Sequence, residues 1–499
     1  MVRRALAMAA GEQYFRLAIQ FASIALVSRL LTPTEIGVSV IGTGIVAIAL
    51  GLREFATSDF LIQRSEVTPD DIRASFTVVF LLTVLIAAGM FVLAPWFGSF
   101  YGEEKLGRFL RVAAVAGLIE AISLPIRGLL RRDMAFGTLA FINTAAATAT
   151  AATTILLALA GFSFMSFAWS LVAAAGVTTV LSFCCRPNLS ILRPSFKSWR
   201  SVLAFGGYNG VSFVINQAYE ALPQLVLGRI LPYSAVGLYN RAQAVSAIPN
   251  QVILASVFSV AFPALAAEVR QGRDLKGPYL RALALITVFY WPGQVLLALL
   301  AYPIILLILG DQWLGAVPLL QIMAAAGLAW FPVMLTSPVL LAVGANRDRV
   351  LADLVGRSVS AVVLCSAAWF GIMAMAASKL VTLPFQMVLS LWFVRRHVPF
   401  RWREVWVAGL WRSAIVTAGT AVGPVGVVAL SGSGFDLPMA ATALAVFLAA
   451  CGWLASVMVT RHPVLPELRK AAEAISETAL VRRLRSRTIS ANPRAGAVR

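Results

Sequence analysis

The sequence predicts an all-α polytopic membrane protein with about 14 transmembrane helices, arranged as two pseudo-symmetric six-helix bundles plus two C-terminal helices. Composition predicts the membrane: 60% of the 499 residues are hydrophobic, 13% are charged, and mean hydropathy is +0.84. A soluble domain carries about 25% charged residues. Run length predicts helices, because the apolar stretches extend for about 20 residues or more and do not alternate as ten-residue barrel strands do. An internal echo predicts the two halves. Arg29, Leu31 and Gly37 of the stretch RLLTPTEIG return as Arg229, Leu231 and Gly237 of RILPYSAVG. In both copies an Arg ends one apolar helix and a Pro-containing turn starts the next. Such two-fold repetition of hydrophobic segments is a mark of transporter folds.

Six spans are expected at 8–31, 36–62, 74–97, 108–130, 136–160 and 163–185, forming an N-terminal bundle over 1–185. A basic cytoplasmic linker follows at 186–200. A second six-helix bundle, 201–394, holds spans at 201–229, 235–263, 280–309, 314–343, 349–371 and 375–394. Two extra transmembrane helices, 404–430 and 437–460, fill 404–460, and 461–499 is a basic cytoplasmic tail. The breaks at 160–163 and 371–378 are weak, so 12 or 13 spans stay open. The stretch 98–107 reads as the longest odd-numbered loop, with Lys105 balanced by Glu103 and Glu104. Within the tail, Leu465, Leu468, Ala472, Ile475 and Ala479 recur at helical spacing among basic residues. This segment either lies on an anionic leaflet or is solvated.

Loop charge sets the orientation. The even-numbered loops are basic, with Arg64 and Arg73, Arg131 and Arg132, Arg186 to Arg200, Arg270 to Arg281, Arg347 and Arg349, and Arg395 to Arg403. The odd-numbered loops carry almost no Lys or Arg. The positive-inside rule then places both termini in the cytoplasm. The net charge of +19 is therefore a topology signal, and the expected surroundings are a lipid bilayer with no nucleic acid. Arg3 and Arg4 precede an apolar stretch too short for a signal peptide, so the start is expected to remain in the first helix.

Enzymatic chemistry has little to work with. Cys184, Cys185, Cys365 and Cys451 lack metal-ligand spacing and the chain has two His, so no metal site and no cofactor is expected. There is no phosphate-binding Gly-x-x-x-x-Gly-Lys-Ser/Thr loop. Loops reach about fifteen residues at most and hold no soluble domain.

The charges inside the spans are the functional candidates. A charge at mid-helix costs about 2.5–3.5 kcal/mol on insertion scales, so each must face a wet cavity or a partner. Arg16, Arg53, Arg241, Arg357 and Lys379 are cations suited to binding an anionic substrate. Glu12, Glu54, Glu120 and Glu220 are candidates for a coupling proton or sodium ion. Two pairs, Glu12 with Arg16 and Asp353 with Arg357, lie four residues apart and also suit mutual neutralisation. Pro223, Pro249, Pro292, Pro332 and Pro338 fall inside spans and permit bends.

Several segments resemble the oligosaccharide flippase (polysaccharide transporter, Wzx-type) family of the multidrug/oligosaccharidyl-lipid/polysaccharide exporter superfamily. They are SRLLTPTEIG at 28–37, FLIQ at 60–63, LAPWFGSFYGEE at 93–104, LGRIL at 227–231, FPAL at 262–265 and LGDQW at 309–313. The resemblance implies two six-helix bundles about a pseudo-two-fold axis, often with two extra C-terminal helices. It also implies alternating-access export of undecaprenyl-pyrophosphate-linked oligosaccharides for exopolysaccharide, capsule or O-antigen synthesis. Polysaccharide polymerase and glycosyltransferases of the same pathway are the implied partners. The sequence departs from the family near the Gly-Arg that ends the seventh span, where relatives often place an Asp. Here Pro223 stands near that place and Glu220 one turn earlier. A peptidoglycan lipid-precursor flippase, a drug/cation antiporter and, further off, a membrane glycan polymerase or ligase are the other readings.

Overall fold

The computed structural model describes the backbone of residues 2–53, 67–197, 199–253, 268, 271, 273–432 and 434–469. Side chains at 2–10, 12–13, 189, 201–212, 215 and 408–409 lie outside the description. Glu54, the Glu12 side chain, Arg64, Arg270 and the tail beyond 469 are thus outside the described residues.

The described chain is helical throughout its ordered elements and contains no strand. The first half holds α1 (Val2–Leu30), α2 (Pro33–Gly51), α3 (Pro69–Tyr101), α4 (Glu104–Arg132), α5 (Phe136–Leu159) and α6 (Met165–Cys185). The second holds α7 (Trp199–Ile230), α8 (Tyr233–Ser246), α9 (Lys276–Leu299), α10 (Ala301–Ile308), α11 (Val317–Gly327), α12 (Val333–Ala342), α13 (Asn346–Ala368), α14 (Ile372–Ala377) and α15 (Lys379–Arg395). The short α16 (Trp402–Val405) leads into α17 (Trp411–Ser431) and α18 (Met439–Val459), which pair with each other and lie along α9. Eleven segments among the described residues are long and apolar enough to cross a membrane. The expected spans at α1, α7 and α8 are helical over their described residues but are not among those eleven. Leu85, Val92, Leu156 and Phe447 stand exposed on the outer surface, as side chains facing lipid do. The chain is a multi-pass membrane protein.

Local signals set the helix starts. Thr32 caps α2: its backbone N–H donates to Glu35 Oε2 at 2.8 Å, its hydroxyl accepts from the Glu35 N–H, and Pro33 occupies the first turn. Thr68, Pro69 and Asp71 repeat the device at α3. Each reciprocal cap satisfies two N–H groups that the helix itself leaves unpaired. The structure corrects the expected loop at 98–107. There α3 runs on to Tyr101, α4 begins at Glu104, and only Gly102 and Glu103 turn the chain. Glu103 stands in that turn and caps α4 by accepting from the Lys105 N–H, while Glu104 is an exposed residue of the first helical turn. Expected spans are interrupted at Ala247, at Leu300, at Leu328–Trp330 before Pro332, and at Ser378. Pro332 lacks the N–H that a continuous helix would use.

The two sequence echoes meet in space. A Cβ on Gly37 would lie 1.9 Å from the Tyr233 carbonyl oxygen, and one on Gly237 would lie 2.1 Å from that of Pro33. Only glycine allows backbones to approach this closely. The reciprocity of the two contacts is what a two-fold axis between α2 and α8 produces. Around it the turn ends interlock: Arg29 donates to the Leu307 carbonyl at 2.5 Å, and Gln312 and Trp313 both donate to that of Ser28. The Tyr233 hydroxyl donates to the Tyr101 carbonyl. We call this end of the molecule the hairpin face. A continuous apolar core, from Val27 and Ile41 through Phe109 to Tyr239, Trp313 and Met375, joins the two halves beneath it.

Candidate functional site

Below the hairpin face, α2 continues along α7. Gly44 meets Ala221 and Leu225, and Gly51 meets Phe213 and Gln217. Arg53 stands two residues beyond Gly51, at the end of this inter-bundle contact. Its Nη2 donates to Glu120 Oε2 at 2.6 Å. The other carboxylate oxygen of Glu120 lies 3.5 Å from Arg127 Nη1, and Arg127 Nη2 reaches Asn143 Oδ1 at 3.4 Å. Two arginines thus share one carboxylate, which among the described residues leaves one positive charge in excess. Arg53 Nη1 and Arg127 Nε are buried without a hydrogen-bond partner. Guanidinium nitrogens donate and do not accept, so both are unmet donors.

The second bundle encloses a cavity of about 510 Å³ among α7, α8, α9, α11, α12, α13 and α15. Glu220, Asp353, Arg357 and Lys379 all line it. Arg357 Nη1 donates to Glu220 Oε1 at 3.3 Å, and its guanidinium stands 5.1 Å from the centre of the Tyr219 ring. Lys379 Nζ stands 5.3 Å from the centre of the Tyr239 ring. Two cations and two carboxylates balance here.

The structure therefore brings five sequence candidates and Asp353 into relation. Arg53 joins Glu120, and Arg357 joins Glu220 across two helices instead of closing on Asp353 within its own. Lys379 shares their cavity. Arg241 is placed elsewhere: it is buried, 5.8 Å from the centre of the Trp313 ring, where it braces the joint between the halves. Arg16 is exposed on α1. Glu12 and Glu54 fall outside the described side chains. Sequence reasoning missed Arg127, which stands seven residues after Glu120 and hence on the same helix face. Its place near the end of the expected span 108–130, beside the loop residues Arg131 and Arg132, kept it from notice. It also missed the uncharged lining of the cavity, because Tyr, Gln and Asn carry no insertion penalty large enough to draw notice.

Comparison with known proteins agrees with this architecture. The model of a family described as "Polysaccharide biosynthesis protein" matches residues 26–318, more than half of the chain. Lipopolysaccharide biosynthesis protein WzxC of Escherichia coli (strain K12) is 24% identical over 309 residues, 60% of this chain and 62% of that protein. The chain therefore spans less than two thirds of WzxC. Succinoglycan biosynthesis transport protein ExoT of Rhizobium meliloti (strain 1021) is 27% identical over 338 residues, 65% of this chain and 66% of ExoT. Among solved structures, the lipid II flippase MurJ in an inward closed conformation superposes with a TM-score of 0.74 at 10% identity, covering 90% of this chain and 98% of MurJ. An outward-facing multidrug resistance MATE transporter of the MOP superfamily gives 0.53 at 14% identity, covering 79% and 95%. At these identities the structural likeness is one of fold.

Proposed function

The chain belongs to the polysaccharide biosynthesis protein family, and from that premise we propose that it is a flippase for undecaprenyl-pyrophosphate-linked oligosaccharide units. It carries them from the cytoplasmic to the periplasmic leaflet of a bacterial inner membrane, by alternating access, for exopolysaccharide, capsule or O-antigen synthesis. Both termini are cytoplasmic and the hairpin face is periplasmic in this reading, which rests on the basic even-numbered loops. One observation carries the proposal: Arg53 and Arg127 share Glu120 at the end of the helix that runs between the bundles, and each keeps a buried N–H unmet. A pyrophosphate diester supplies the missing acceptors and the missing negative charge. Arg16, exposed on α1, draws the head group in, while the polyprenyl tail stays in lipid. Rocking of 1–185 against 201–394 then parts the Gly37 and Gly237 contacts and opens the hairpin face.

The driving force follows from charge. Moving one negative charge outward against an inside-negative potential gains about 2.3 kcal/mol per 100 mV, and the diester carries about two. Glu120 and Glu220, each released from an arginine as substrate arrives, are the carboxylates placed to take up a coupling proton. No bond is made or broken, so the chain acts as a transporter and not as an enzyme. Polymerase and glycosyltransferases of the same pathway stand downstream and upstream of it.

The test is the leaflet that holds the lipid-linked oligosaccharide in cells depleted of the protein, read with a membrane-impermeant sugar-modifying probe. The expected result is accumulation on the cytoplasmic face. Accumulation of single units on the outer face would mark a polymerase or ligase instead. Unchanged levels on both faces would overturn the proposal.

A further inference from the structure

The cavity of the second bundle has a lining that anion attraction does not use. Beside its charges it presents the rings of Tyr219, Tyr239, Tyr290 and Trp330, and the amides of Gln243 and Asn250 on and just beyond α8. Four polar atoms of this lining are buried without a hydrogen-bond partner: Gln243 Oε1, Asn250 Oδ1, Gln294 Oε1 and the Tyr239 hydroxyl. Tyr239 itself is 0% exposed. Buried polar groups in folded proteins are nearly always paired, so four unmet atoms around one space define what that space lacks.

What it lacks is a set of hydroxyls. Amide carbonyl oxygens only accept hydrogen bonds, while a phenol both donates and accepts. An acceptor-only phosphate serves none of the amide oxygens and meets Glu220 and Asp353 at close quarters. A polyprenyl chain offers no donors. A sugar ring offers hydroxyls at its rim, which donate and accept, and C–H faces that lie flat on aromatic rings. The balanced charge of the cavity admits a neutral ligand. Its volume of about 510 Å³ falls within the range of about 300–1,000 Å³ typical of small-ligand sites.

We infer that the second-bundle cavity is a saccharide subsite, which seats the sugar end of the lipid-linked unit through Gln243, Asn250 and Tyr239. The inference rests on the flippase reading and divides the ligand between the bundles, phosphate to the first and sugar to the second.

The experiment uses the full chain in lipid nanodiscs and two probes. One is undecaprenyl pyrophosphate; the other is the undecaprenyl-pyrophosphate-linked oligosaccharide extracted from cells that make it. Binding is read by quenching of tryptophan fluorescence. The unaltered protein is expected to bind the sugar-bearing probe about tenfold or more tighter than the bare one, since it alone fills the unmet acceptors. Gln243→Ala with Asn250→Ala is expected to bring that ratio close to one. Tyr239→Phe, which removes only the hydroxyl, lowers it by a smaller factor and guards against misfolding of the double variant. Equal binding of both probes by the unaltered protein overturns the subsite while leaving the flippase reading standing. So does a ratio that survives both folded variants, which would assign the unmet atoms to water. Binding of neither probe removes the flippase reading and the subsite together.

Discussion

In the first bundle two arginines close on one carboxylate, at 2.6 and 3.5 Å, and keep two buried N–H groups to spare. In the second, Arg357 reaches Glu220 at 3.3 Å, the Glu220 side chain is 60% exposed, and Lys379 faces an aromatic ring across a wide cavity. The backbone relates the two halves by symmetry, as the reciprocal Gly37 and Gly237 contacts record, yet the side chains do not follow it. Similar charged residues yield a tight, net positive clamp on one side and a roomy, neutral chamber on the other. In the function proposed above, a ligand with an anionic head and a polar neutral body would meet each half with the part that suits it. The largest test of this contrast is Glu120→Gln, which leaves two guanidiniums facing each other. Breaking a fully buried pair costs about 3–5 kcal/mol; here the side chains keep 14–28% exposure, which puts the loss on the order of 2 kcal/mol. The melting temperature in detergent is expected to fall by several degrees, and Glu120→Gln with Arg127→Gln to recover part of the fall. The same loss from Glu220→Gln would erase the contrast.

Affinity should divide in the same way. Arg53→Gln with Arg127→Gln removes charge-assisted hydrogen bonds worth about 1.5–3 kcal/mol each, and is expected to weaken binding of undecaprenyl pyrophosphate by tenfold or more. Arg357→Gln is expected to change it by less than about threefold, because the balanced chamber exerts little net attraction. Equal losses in both would sink the division of labour. Gly37→Ala and Gly237→Ala probe the symmetric part instead. Each new methyl enters a backbone contact and forces the hairpin face apart, at a cost of about 1–3 kcal/mol. With native cysteines replaced, a cysteine at the buried Ser28 is expected to label faster with a thiol reagent in both variants, and by similar factors. An effect confined to one glycine would break the two-fold argument.

Much of this was legible in the chain. Helical spans follow from run length and composition, and the Pro-containing turn that starts α2 follows from the sequence. The echo around Gly37 and Gly237 pointed to two halves. Which atoms it brings together became visible only when Tyr233 and Pro33 were seen under the two glycines. Pairing was the illegible part. Spacing within one helix offered Arg357 to Asp353, but the structure gives it to Glu220, 137 positions away. Arg241 has the sequence profile of a cavity cation and is held instead against Trp313, because burial depends on neighbouring helices that no local pattern encodes. The stretch 98–107 looked like a loop because of its glycines and glutamates. Gly98 in fact packs against the backbone of Glu103 and Glu104, and the helix continues past it.

The smallest expected effect lies outside both bundles, where 460–469 folds back on α9, α17 and α18. Val464 is buried there, with Leu465 and Leu468 against the same cluster. His462 holds the return: it is 1% exposed, its Nδ1 accepts from the Val464 N–H at 3.2 Å, and its Nε2 lies 3.1 Å from Ser413 Oγ. Nδ1 accepts, so the neutral ring carries its proton on Nε2 and donates to Ser413. Burial, with the Arg412 charge second, pushes the His462 pKa down from 6.5 to about 4. A depressed histidine stabilises the fold while it stays neutral in both states. That contribution is complete above pH 6.5, declines as the unfolded chain takes up its proton, and is fully lost below about pH 4. The melting temperature should therefore be level from pH 8 to 7 and fall between about 6.5 and 4. His462→Gln should flatten the fall attributable to this group while leaving binding of both lipid probes unchanged. An unaltered pH slope in the variant would assign the acid sensitivity to the carboxylates of the two bundles, and would make them, and not the C-terminal return, the part of the molecule that senses pH.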